Sequence, residues 1–259
     1  EIVKKDAETG KIIPAAGIGF KVRNTDTGKF VVQHITYPTP ADIDTYYTDL
    51  TGKLMLPEKL PYGNYEITEQ CTAYGYVLNT EPVAFKIDGS KTVVTVEKRN
   101  MPQKGIIRIQ KNGEVFASVN KSDGVYQPVF ANKGLAGAVY EITAAEDIIT
   151  PDGTLRYAKG TAADTVTTDK KGNAASKPLY LGKYTVREIK APYGTVLNGT
   201  PETVELTYAG ETVEVTETAI ELYNERQKAM LSLEKLLEKD SAFGIGENGE
   251  ISSVQFGLY

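Results

Sequence analysis

The sequence predicts an all-β protein made of tandem Greek-key β-sandwiches stacked end to end. Three observations carry this prediction. Apolar and polar residues alternate with a period of two along most apolar segments, as in strands with one buried face. Short turn sequences rich in Gly, Asn and Asp cut those segments apart. The chain also repeats itself, and its 259 residues leave room for two domains of ordinary size and a remainder.

The elements follow in order. Ile2 and Lys4 share one face of a first strand. The segment Gly63-Asn64-Tyr65-Glu66-Ile67-Thr68-Glu69-Gln70 is a middle strand, and Thr92-Val93-Val94-Thr95-Val96-Glu97 a later one. In the second half Thr203–Tyr208 and Thr212–Val215 alternate on either side of Ala209-Gly210, which predicts a hairpin. Turns fall at Glu8-Thr9-Gly10, Asp26-Thr27-Gly28, Leu50-Thr51-Gly52, Ser122-Asp123-Gly124, Pro151-Asp152-Gly153 and Lys171-Gly172-Asn173. The nearest approach to a helix is Gln227–Lys239, but Leu231, Leu233 and Lys235 alternate as well as they fit a helix.

The repeat sets the domain organisation. Gly63–Gln70 aligns with Gly182–Ile189, and Tyr74–Asn79 with Tyr193–Asn198. Ala16–Val22 resembles Leu135–Ile142, and Ser253–Tyr259 is a third copy of that element. The expected domains are therefore 1–101, 102–227 with an insertion at 112–133, and the first strands of an incomplete third at 228–259. The joints at Met101–Lys104 and Glu225–Lys228 are short and lack Gly/Ser tracts, which restricts bending. The sequence opens inside a strand pattern at Glu1-Ile2-Val3 without Met or leader, as a piece of a longer protein would.

Composition removes several function classes. A net charge of -5 offers no concentrated basic surface for nucleic acid. No apolar run approaches the roughly 20 residues that span a bilayer. The single cysteine, Cys71, cannot form an intramolecular disulfide. The single histidine, His34, lies in a Tyr/Pro loop and is a poor base or zinc ligand. Pro151-Asp152-Gly153 and Asp169–Asn173 lack the oxygen ligands of a calcium loop and are better read as turns. No cofactor, no metal and no multiple-turnover enzyme is expected.

Each repeat nevertheless places polar residues where a strand's inner face should be apolar. On the first strands, Lys4 follows Ile2, and Lys111 follows Ile107 and Ile109. On the middle strands, Glu69 follows Tyr65 and Ile67, and Glu188 follows Tyr184 and Val186. On the last strands, Asn224 follows Ile220 and Leu222, and Asn100 follows Val94 and Val96. Lys98 intervenes there and suggests a bulge or a point where the strand leaves the core. Taken singly, such residues are usually surface or turn residues. Three types recurring in one order in two repeats are not so easily dismissed.

A lone buried Lys or Glu costs several kcal/mol. One resolution is mutual neutralisation, because burial lowers a Lys pKa and raises a Glu pKa. A neutral amine is a nucleophile, and a protonated Glu can polarise a carboxamide and relay protons to departing ammonia. Held in contact by the fold, amine and amide react as an intramolecular pair. The product is a Lys–Asn isopeptide bond joining first strand to last.

The motifs Lys4-Lys5-Asp6-Ala7-Glu8-Thr9-Gly10-Lys11, Gly137-Ala138-Val139-Tyr140 and Glu188-Ile189-Lys190-Ala191-Pro192-Tyr193-Gly194 resemble the Cna B-type domains (SpaA-like, with a prealbumin-like or Ig-like sandwich) of Gram-positive surface adhesins and pilins. The resemblance covers essentially the whole chain. It implies crosslinks Lys4–Asn100 and Lys111–Asn224, catalysed by Glu69 and Glu188, with Lys235 an unpaired third nucleophile. Lys5 adjoins Lys4, though alternation favours Lys4. Repeat one departs from the pattern at Gln70-Cys71-Thr72-Ala73-Tyr74, where Ala-Pro is expected, so its Glu loop is expected to sit differently.

The resemblance implies an extracellular stalk segment, anchored to the cell wall through a region outside this chain, whose partners are neighbouring domains of the same surface protein. A second reading is an adhesin module binding host matrix proteins or a glycan through Asp42–Leu50 or the 112–133 insertion. Tyr37, Tyr46 and Tyr47 either form a binding face or pack a long loop against the sandwich.

Overall fold

The computed structural model describes residues 1–236, 238–244 and 254–257. They fall into two compact units, Glu1–Arg226 and Gln227–Tyr259. Regular structure among the described residues is entirely β, as the alternation predicts.

The first unit holds two sandwiches. The strands of the first are β1 (Ile2–Asp6), β2 (Gly19–Asn24), β3 (Gln33–Ile35), β4 (Ala41–Ile43), β5 (Thr45–Tyr47), β6 (Lys53–Leu54), β7 (Gly63–Cys71), β8 (Val83–Ile87) and β9 (Val96–Asn100). One sheet has the order β6-β1-β9 and the other β5-β2-β7-β8, with β3-β4 a separate ribbon. The core lies between them, where Ile2, Leu54 and Val96 meet Phe20, Val22, Tyr46, Tyr65 and Ile67. Each such side chain contributes roughly 1.5–3 kcal/mol through its burial. Tyr46 thus belongs to the core, while Tyr37 and Tyr47 are exposed.

The second sandwich has β10 (Lys104–Ser122), β11 (Val125–Gly134), β12 (Val139–Ala144), β13 (Ile148–Ile149), β14 (Leu155–Tyr157), β15 (Ala162–Thr167), β16 (Asn173–Ala175), β17 (Leu179–Tyr180), β18 (Gly182–Lys190), β19 (Glu202–Leu206) and β20 (Val215–Asn224). β10 pairs with β11, β16, β17 and β20, and the facing sheet has the order β15-β12-β18-β19. Ile107, Ile109 and Leu179 pack against Tyr140, Ile142, Tyr184, Val186 and Leu206.

In both sandwiches the first and last strands run side by side and parallel. The register runs from Ile2↔Val96 to Asp6↔Asn100 in one and from Lys104↔Val215 to Gly113↔Asn224 in the other. A period of two then aims Lys4 and Asn100 into one core, and Lys111 and Asn224 into the other. The β1–β9 register is unbroken, so Lys98 marks neither a bulge nor a departure from the core. It is a second inward, buried lysine, the direct cross-strand partner of Lys4.

The segment 112–133 continues β10 into a hairpin with β11. Asp123 and Gly124 both have positive φ, as a two-residue turn between twisted strands requires. Phe130 packs edge-on to Phe116, and the Arg226 guanidinium lies 3.8 Å from the Phe130 ring centroid.

The short joint between the sandwiches is densely bonded. Gln103 is buried and donates through Nε2 to the carbonyls of Gly210 (2.8 Å) and Val213 (2.5 Å), while accepting from the Ala209 N–H. Asp6, also buried, accepts from Tyr76 Oη (2.9 Å) and Arg156 Nη2 (3.3 Å). Glu8 meets Lys104, Arg156 and Tyr180.

Within the second unit, 227–236 carries no regular structure, so the alternation of Leu231, Leu233 and Lys235 forms no strand there. A strand needs a partner to satisfy its backbone, and among the described residues no pairing involves 227–236. Of the third copy at Ser253–Tyr259, positions 253, 258 and 259 lie outside the described residues, and 254–257 are irregular.

Candidate functional site

Two buried Lys–Glu–Asn clusters sit at matching places in the two sandwiches. In the first, Lys4, Glu69 and Asn100 are 0%, 1% and 1% exposed. Lys4 Nζ donates to Glu69 Oε1 at 2.5 Å and contacts Asn100 Oδ1. Asn100 Nδ2 donates to Glu69 Oε2 at 2.8 Å, so the carboxylate bridges amine and amide. The backbone N–H of Asn79 donates to the same Oε2 at 3.1 Å and fixes the carboxylate's orientation.

The second cluster repeats this plan. Lys111 Nζ lies 2.6 Å from Asn224 Oδ1 and 3.4 Å from Glu188 Oε1. Asn224 Nδ2 donates to both oxygens of Glu188, at 2.9 and 2.8 Å. The Asn198 N–H donates to Glu188 Oε2 at 2.9 Å, as Asn79 does in the first sandwich. Glu69 and Glu188 are therefore held alike despite the departure at Gln70–Tyr74, which leaves the carboxylate's backbone anchor unchanged.

Burial dominates the electrostatics of both lysines. It draws Lys4 down from 10.5 to about 8, against the pull of Glu69 and with the help of the neighbouring Lys98. Lys111 is lowered by the same cause, opposed by Glu188. Each amine thus loses its proton more readily than a solvated lysine does. Each also touches a carboxamide whose nitrogen is bonded to a carboxylate. The arrangement sets a nucleophile, a carboxamide carbon and a proton-relaying carboxylate side by side, the three groups an acyl transfer from amide to amine requires.

The remaining sequence candidates separate clearly. Lys5 points to the partly exposed surface and pairs with Glu97, away from the cluster. Lys235 is exposed. Cys71 is a free thiol 3.4 Å from the Gly17 carbonyl, and His34 pairs at the surface with Asp42. Among the described residues no cluster of His, Cys, Asp and Glu could hold a metal ion.

Several contributors escaped the sequence reading. Phe20 and Tyr140 occupy equivalent positions opposite Glu69 and Glu188, and only Tyr140 carries a hydroxyl, 3.4 Å from Glu188 Oε1. Thr72 and the Val77 carbonyl contact Asn100 Nδ2, and Thr195 contacts Asn224 Nδ2. The repeat alignment was the one available signal, since it pairs Asn79 with Asn198 and Phe20 with Tyr140. It could not reveal the threonines, which occupy non-equivalent positions.

The profile of the prealbumin-like fold domain SpaA matches residues 1–102 and 129–220. No curated protein matches the chain. Among solved structures, the Bacillus anthracis TIE protein is similar at 22% identity and a TM-score of 0.52, over 87% of this chain and 33% of that one. A streptococcal ancillary pilin is 22% identical over 88% of this chain and 62% of its own, with a TM-score of 0.32. GBS52, the minor pilin of the Gram-positive pathogen Streptococcus agalactiae, is 17% identical over 90% of this chain and 98% of its own, with a TM-score of 0.35. The chain thus spans a third of the first of these proteins and less than two thirds of the second.

Proposed function

The chain belongs to the SpaA family of prealbumin-like fold domains, and from that premise we propose that it is a stalk segment of a cell-wall-anchored bacterial surface protein or pilin, each of whose two sandwiches is closed by an autocatalytic Lys–Asn isopeptide bond. The proposed domains are 1–101 and 102–227, followed by the start of a third at 228–259. The observation that carries the reading is the contact of a buried lysine amine with a carboxamide, repeated in two sandwiches. With one cysteine, Cys71, no disulfide can form within the chain, so these bonds would be its internal covalent staples.

The chemistry balances without a co-reactant. Neutral Lys4 Nζ attacks Asn100 Cγ, and the amine's proton passes through Glu69 to Asn100 Nδ2. The Cγ–Nδ2 bond breaks and ammonia leaves. Lys111, Glu188 and Asn224 act likewise. Contact in a buried core supplies the proximity that makes such a slow acyl transfer feasible. The product removes a buried charge and ties first strand to last, which protects the domain against unravelling and proteolysis.

Intact mass spectrometry tests the reading. The chain should weigh two ammonia molecules less than its sequence, and Glu188→Ala should restore one. Lys4→Ala should also restore one, while Lys5→Ala should leave the deficit intact. A wild-type mass equal to the sequence mass would refute the crosslinks. The adhesin alternative draws on the apolar side chains the hairpin exposes, Val119, Val125 and Tyr126. Binding to immobilised matrix proteins that is lost when the hairpin is trimmed would favour it.

A further inference from the structure

Asn100 has more hydrogen-bond acceptors around its nitrogen than a resting carboxamide can use. Nδ2 carries two hydrogens. Three acceptors surround it: Glu69 Oε2 at 2.8 Å, Thr72 Oγ1 at 2.7 Å and the Val77 carbonyl at 2.7 Å. Oδ1 meanwhile faces Lys4 Nζ. Two N–H bonds cannot point along three such directions at once. A nitrogen bearing three hydrogens can.

That species arises once in the proposed reaction. After attack by Lys4, Nδ2 is an amine on a tetrahedral carbon, and it must take up a proton before the Cγ–Nδ2 bond breaks. We infer that Thr72 Oγ1, the Val77 carbonyl and Glu69 Oε2 form a cradle for the departing ammonia, with Thr72 a catalytic residue for the Lys4–Asn100 bond. This inference rests on the isopeptide reading. The proton comes from the attacking amine through Glu69, the electron pair of the broken bond stays on nitrogen, and ammonia is the only by-product. Groups matched to the leaving state better than to the ground state accelerate the step.

The second sandwich reaches the same end by another route. Glu188 accepts with both oxygens, and Thr195 Oγ1 stands 3.4 Å from Asn224 Nδ2 as the third acceptor. Thr195 donates its own hydrogen to the Pro192 carbonyl at 2.9 Å, which leaves its lone pairs facing the amide. Thr195 aligns with Tyr76, whose hydroxyl is committed to Asp6. Thr72 aligns with Ala191. A threonine hydroxyl therefore meets the leaving nitrogen in both repeats from opposite sides of the same turn. Shared ancestry of one loop position does not account for that.

The test follows both bonds in one molecule. The full chain is isolated unfolded, diluted into native buffer and quenched at intervals, and peptide mapping scores the Lys4–Asn100 and Lys111–Asn224 crosslinks separately. Thr72→Val should slow the first bond about tenfold to a hundredfold and leave the second, an internal clock, unchanged. Thr72→Ser should restore the rate. Thr195→Val should slow only the second bond, which keeps the idea testable if Thr72→Val folds poorly. Unchanged rates in both Val variants would overturn the cradle while sparing the crosslinks. Equal slowing by Val and Ser at position 72 would assign Thr72 to packing and also overturn it. A wild-type chain that forms neither bond would overturn the isopeptide reading itself.

Discussion

Replacing Lys98 with leucine should make the first crosslink form more slowly near neutral pH and move its rate profile to higher pH. Lys98 is the direct register partner of Lys4 on the parallel strand, buried beside it with its Nζ on the Glu81 carbonyl. The corresponding partner of Lys111 is Leu222, so the substitution copies the second sandwich into the first. A like charge in a buried core favours loss of a proton from its neighbour. With its pKa at about 8, Lys4 leaves roughly one amine in ten unprotonated at about pH 7. A solvated lysine at 10.5 leaves about three in ten thousand. The folded core is therefore worth up to about 300-fold in reactive amine, and each unit of upward shift in the variant removes tenfold. Refolding by dilution at pH values between about 8 and 10.5, with timed quench and peptide mapping, gives the pH of half-maximal rate. An unchanged or lower midpoint in Lys98→Leu would refute the like-charge argument.

Two further outcomes follow from the same geometry. Asn100→Ala blocks the bond but keeps the Lys4–Glu69 pair, so Lys4 should continue to titrate. Its folded pKa lies below its unfolded value, so the unfolded state binds more protons between about 8 and 10.5, and stability should rise with pH across that window by about 3 kcal/mol. The crosslinked wild type, whose Lys4 nitrogen has become an amide, should lack that slope in denaturant titrations. At the joint, Arg156→Ala removes the guanidinium from the buried Asp6 carboxylate, which keeps Tyr76 and the backbone N–H groups of Glu8 and Thr9, so the loss should be about 1–3 kcal/mol. Limited proteolysis should then cut at Met101–Lys104 sooner than in the wild type.

Period-two alternation was enough to find the two triads, because a buried Lys, Glu or Asn stands out against apolar neighbours on its own face. The same rule also points Lys98 inward, and the expectation of a bulge there set the rule aside. The burial of Lys98 depends on a carbonyl from Glu81, a residue 17 positions away, and no local pattern reports such a contact. Thr72 and Thr195 were hidden for a related reason: they reach one spot from different loop positions, which an alignment by residue type cannot see. Asp6 and Glu8 were noted only as part of a motif, although they hold the joint to Arg156 on the other sandwich. The alternation at Leu231–Lys235 shows the opposite limit. A strand pattern is a demand for partners, and among the described residues these positions form no strand.

The parallel pairing of first and last strands has a consequence for how sequence can vary. In the bonded chain, tension entering at Glu1 would run to Lys4, cross the new amide to Asn100, and continue to Lys111, Asn224 and beyond. Residues 5–99 and 112–223 would hang off that line as slack. The β10–β11 hairpin begins at Asn112, one residue past the point where the load leaves β10. Such a segment could lengthen, shrink or acquire a binding surface without thinning the cable that carries it.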